Sequence, residues 1–180
     1  MVKRILLTLI LLPWLAACGT SQANELDTSG LQKDFTSSNT VKYEAPSLEA
    51  ALDAVPFKIT LPEKLPFESE GFKPKKLKKR KGDTDSVILE LVAESSKDRE
   101  AVLRLYAGNG DYLVHQNELG GEPLKLKDGT PAFYLYVQPY HVVKFEKNGI
   151  EYSVNYSHTE KSTDLQKQDL LNIANQLNAN

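Results

Sequence analysis

The chain has 180 residues, a formal net charge of −2, 41% hydrophobic residues and one cysteine. So even a charge balance excludes a general nucleic-acid binder, which needs a basic face to displace phosphate counterions. The single cysteine excludes an intramolecular disulfide, and the length suits one domain with a tail.

Lys3 and Arg4 precede a short apolar run, Ile5 to Leu12, and then the small residues Ala16 and Ala17. A charged head, an apolar middle and small residues before a cut make a secretory signal. The run is too short to cross a bilayer, which takes about 20 apolar residues. Leu15-Ala16-Ala17-Cys18 resembles the lipobox of bacterial lipoproteins. That resemblance implies cleavage before Cys18 and a diacylglyceryl group on its thiol, with residues 1–17 removed. Two acyl chains give stable anchoring, at about 0.8 kcal/mol per buried methylene. The implied location is the extracytoplasmic face of a bacterial cell membrane, of Gram-positive type. Gly19 stands where an aspartate would signal inner-membrane retention.

From Gly19 to about Tyr43 the residues are small and polar, without an apolar period. Residues 18–45 are therefore expected to be a flexible tether, with a reach of about 25–30 Å for roughly 25 residues. A single domain is expected over 46–180. Ser47 is placed to cap a helix with Leu48, Ala51, Leu52 and Val55 on one face, ended by Pro56. Phe57 to Leu61 alternates as a half-buried strand. The basic run from Lys73 to Lys81 and the apolar stretch from Ser86 to Glu94 flank Gly82-Asp83-Thr84-Asp85 as a hairpin. Strands follow at Ala101–Tyr106, Tyr112–Gln116, Leu124–Lys127 and Ala132–Val137. His141–Glu146 and Ile150–Tyr156 flank Asn148-Gly149, the strongest short hairpin signal. Thr163 and Gln166 have the spacing of a capping box, and Leu170, Ile173, Ala174 and Leu177 form a helical stripe. The expected class is α+β: an antiparallel sheet of about six to eight strands, a short N-terminal helix, and a C-terminal amphipathic helix on one face.

Val55-Pro56-Phe57, Leu61-Pro62, Leu65-Pro66, Leu105-Tyr106, the Tyr152 strand and the Leu170–Leu177 helix carry a second resemblance. Residues 46–178 resemble uncharacterised domains of Bacillus-type lipoproteins and of the extracytoplasmic parts of anti-sigma-like membrane proteins. The resemblance implies a fold and a location and brings no catalytic residues. The lysine run departs from that pattern.

Candidate chemistry is sparse. His115, His141 and His158 sit on separate elements, whereas a zinc site needs converging ligands. They are expected at the surface or at strand edges, with no metal and no cofactor. Glu90, Glu94, Asp111 and Glu118 could pair for acid–base work, but alternation along strands accounts for them, and no enzyme is expected. Lys73, Lys75, Lys76, Lys78, Lys79, Arg80 and Lys81 have two readings. They contact anionic lipid head groups or wall polymers, or they shield an edge strand while pairing with Glu90 and Glu94. Tyr134, Tyr136 and Tyr140 form either a recognition surface or rings packed under a helix. Function follows as a non-enzymatic interaction or sensor module at the envelope, its partner a protein or an anionic polymer. The alternative is a carrier that holds an apolar or lipid-like ligand between sheet and helix.

Overall fold

Alternating apolar residues along successive segments build one antiparallel sheet, nine strands of which lie in the described residues. The computed structural model describes residues 25–81, 86–97, 100–110 and 121–178. The expected signal segment, Cys18, the expected Gly82–Asp85 turn and the expected Tyr112–Gln116 strand, with Asp111, His115 and Glu118, lie outside them. In chain order the elements are β1 (Gln32–Thr36), β2 (Thr40–Glu44), α1 (Leu48–Ala54), β3 (Lys73–Arg80), β4 (Ser86–Glu94) and β5 (Ala101–Gly108). Then come β6 (Glu122–Lys125), β7 (Pro131–Val137), β8 (Tyr140–Lys147), β9 (Ile150–His158) and α2 (Thr163–Asn178). The sheet order is β1-β2-β3-β4-β5-β9-β8-β7-β6. The class is α+β, as expected, with nine strands rather than six to eight. No described helix is long and apolar enough to cross a membrane.

The expected tether is folded from about residue 25. Leu26 joins the core, the Asp27 N–H donates to the Ala54 carbonyl at 2.8 Å, and β2 pairs with β3. The short helix is therefore not N-terminal, since two strands precede it. Ser47 caps it as its position suggests, its Oγ accepting from the Ala50 N–H at 3.1 Å. Phe57 to Leu61 is irregular instead of a strand. Pro56, Pro62 and Pro66 deny this stretch a ladder of donors. Its Phe57, Ile59, Leu61, Leu65 and Phe67 nevertheless pack on the core. Its Lys64 backbone exchanges two hydrogen bonds with the Gln176 amide of α2.

Pleating gives the sheet two unlike faces. On one, Leu89 and Leu91 of β4, Leu103 and Leu105 of β5, Val154 and Tyr156 of β9, and Val143 and Phe145 of β8 are at most 1% exposed. Leu170, Ile173, Ala174 and Leu177 of α2 close over them, and Ala51 and Ala54 of α1 join the same cluster. The side chains at this sheet–helix interface, where an apolar-ligand carrier would hold its cargo, are buried. The described core draws its side chains from Leu26 to Leu177, so a chain without residues 1–18 is expected to fold. Gln166 departs from the capping box: its amide bonds the His158 N–H, the His158 carbonyl and the Lys161 carbonyl, clamping the end of β9 to the helix. The Ser162 carbonyl accepts from the Gln166 N–H. The hairpin at Asn148-Gly149 forms as expected, with φ of 53° and 74° at those residues.

Candidate functional site

The second face of the sheet carries no described helix. Its residues are the alternates of the core set: Ile88, Glu90, Tyr106, Arg104, Ser153, Asn155, Val142 and Lys144. Ile88, Glu90, Val142 and Ser153 are nonetheless buried. Long side chains of the same face roof them. The Lys78 ammonium lies 5.8 Å from the Tyr106 ring centre, and the Arg104 guanidinium 5.6 Å from that of Tyr140. Aliphatic stems and rings exclude water while the charged ends stay wet.

Glu90 is the buried acid of this face. Its carboxylate accepts from the Tyr106 hydroxyl at 3.2 Å and lies 3.4 Å from Lys78 Nζ and 3.7 Å from Arg104 Nη1. Burial, and then the Glu90 charge, push the Tyr106 phenol above its ordinary value. Burial pushes the Lys144 ammonium down, with Glu151 acting the other way. The Ser153 hydroxyl donates to Asn155 Oδ1 at 3.0 Å. These engagements tie Glu90 to three neighbouring side chains.

Between these groups lies a pocket of about 310 Å³. Ile88, Leu135, Val137 and Val142 form its apolar surface, with Tyr106 and Tyr140 as walls. Lys78, Lys144, Ser153 and Asn155 supply the polar lining. Sequence reasoning singled out Glu90, Tyr140 and Lys78 separately. It missed Lys144, Val142 and Leu135, whose common face depends on the pairing of β5 with β9, two strands far apart in the chain.

The basic run does not make one patch. β3 lies inside the sheet, between β2 and β4, so the edge-strand reading is overturned. A register shift between Pro74 and Lys76 and the pleat then divide its cations between faces: Leu77 and Lys79 point to the helix side, Lys76, Lys78 and Arg80 away from it. Lys73 pairs with Glu70 at 2.7 Å, Lys76 with Asp34 at 3.0 Å, Lys78 with Glu90 at 3.4 Å and Lys79 with Glu25 at 3.6 Å. Glu90 thus receives the pairing expected of it. Glu94 contributes only to the field at Lys73. Lys75 and Lys81 complete the run and make no ion pair with another described residue.

The tyrosine cluster splits too. Tyr134 lies on the helix side, buried, with the Lys167 ammonium 4.3 Å from its ring centre, while Tyr136 is exposed. His141 is not a surface histidine: it is 2% exposed, bonded through Nδ1 to the Tyr134 hydroxyl at 2.7 Å. Within the described residues, no group of three His, Cys, Asp or Glu side chains is placed to hold a metal ion.

Burial holds the His141 imidazole below its ordinary value. The unfolded chain then takes up the proton first, so stability is full above about pH 6.5 and falls as pH drops towards the folded pKa. The melting temperature of the parent is expected to drop more steeply than that of His141→Gln between about pH 7 and pH 5. Parallel profiles for the two chains would show that this histidine is not linked to unfolding.

No family model, curated protein or solved structure matches the chain.

Proposed function

We propose that the chain is a bacterial lipoprotein, anchored through Cys18, whose domain is a non-enzymatic interaction or sensor module on the outer face of the membrane. The single observation that carries the binding reading is the sheet face that no described helix covers, with an apolar pocket walled by tyrosines and edged by lysines. Binding sites characteristically combine a mostly apolar concavity with a few placed polar groups. The lipobox residues, and the likeness to Bacillus-type lipoprotein domains, support the anchor and the location. Contact of the basic run with an anionic polymer is less favoured, because its charges are divided between faces and Lys73, Lys76, Lys78 and Lys79 are each paired with a carboxylate.

Two substitutions test this reading in cells. Cys18→Ser is expected to abolish incorporation of radiolabelled palmitate; equal labelling of variant and parent would remove the anchor from the reading. A photo-crosslinking residue at Leu135 is expected to give a discrete adduct with an envelope component, and one at exposed Leu165 of α2 is not. Adducts from both positions, or from neither, would remove the sheet face from it.

A further inference from the structure

The composition of the pocket says what fits it. Its charged lining is two lysines and no carboxylate. Lys78 already shares Glu90 with Arg104. Lys144 lies on β8, two residues along from Val142 on the same face and across from Ser153 of β9. An anionic group entering at this end of the pocket would meet the Lys144 ammonium and the amide N–H of Asn155, whose Oδ1 already accepts from Ser153. At the other end it would leave Leu135, Val137 and Val142 to an apolar body, against the ring of Tyr140. The volume, about 310 Å³, is at the lower limit of small-molecule sites. A two-chain phospholipid is too large for it.

Resting on the binding reading above, we propose that this pocket takes a free single-chain amphiphile with one anionic head, such as a medium-chain fatty acid. The head sits at Lys144 and the chain lies along β7 and β8. The charge orients the ligand, and apolar burial supplies most of the affinity.

The test uses a chain beginning at Gly19, titrated with decanoate and with decanol and followed by amide chemical shifts. Saturable decanoate shifts are expected in β7, β8 and β9, with decanol about tenfold weaker for want of the charge contact. Lys144→Gln should bring decanoate down to the decanol level. Leu135→Ser should weaken both ligands while leaving the melting temperature of the chain close to the parent's. Equal binding of the two ligands, decanoate shifts confined to other elements, or binding only to anionic phospholipid vesicles would overturn the proposal. A chain that fails to bind decanoate but still crosslinks in cells through Leu135 loses this ligand and keeps the binding face. A chain that does neither loses both.

Discussion

Replacing Ile173 and Leu177 together with alanine is expected to unfold most of the population. Both side chains are at most 3% exposed, one turn apart on α2, and both belong to the cluster that holds Val143, Phe145 and Val154. Truncating such a residue costs about 2–5 kcal/mol, transfer and cavity together. The two sites are neighbours, so their costs need not add. Even so, the pair removes a large part of a typical stability of about 5–15 kcal/mol. Urea denaturation is the measurement. A midpoint equal to the parent's would mean that α2 is not packed on the sheet.

A chain beginning at Pro46 is expected to lose cooperative melting, whereas one beginning at Gly19 keeps it. The shorter chain lacks β1, β2, Leu26 and Val41, and it turns β3 into an edge with Leu77 uncovered on one side. Burial of Leu26 and Val41 alone stabilises by about 1.5–3 kcal/mol each. The β2–β3 ladder goes with them. Equal melting temperatures for the two chains would show that these strands are an appendage.

This loss concerns a segment that looks like linker in the sequence, and the reason is physical. β1 is exposed along its whole length, so neither face of it leaves an apolar alternation. β2 buries only Val41 fully. Backbone pairing, to which side-chain pattern is blind, holds both strands. The elements that could be read, β3–β4, β8–β9 and α2, are those whose apolar runs or stripes are buried or whose turn residues are demanding. Asn148-Gly149 is the clearest case, since both residues need positive φ there. Phe57 to Leu61 misleads for the opposite reason: it alternates and packs, but its flanking prolines keep it out of the ladder.

The candidate site was legible only in fragments. Lys78 and Glu90 could be paired because their strands form a hairpin. Lys144 and Leu135 could not be joined to them, because that step requires β9 to lie between β5 and β8. His141 shows the same limit, since its partner Tyr134 is reached across the β7–β8 pairing and its burial depends on the helix side of the sheet.

The strand order also sets how the chain assembles. Six neighbouring pairs in the sheet join strands that follow one another with no described helix between them, and they group into three blocks: β1–β2, β3–β4–β5 and β6–β7–β8–β9. Each block zips from its own turns at little loop-closure cost. Two seams join the blocks: β2 against β3, on either side of α1, and β5 against β9. The second matches Ala101 with His158 and Gly108 with Glu151, contacts of long sequence separation in the middle of the sheet. For a chain made from its N-terminus, the apolar edge of β5 stays open until the last strand arrives. Completion of the sheet therefore waits on β9, and the β5–β9 seam is the point where a chain stalled before that strand is expected to stick to its neighbours.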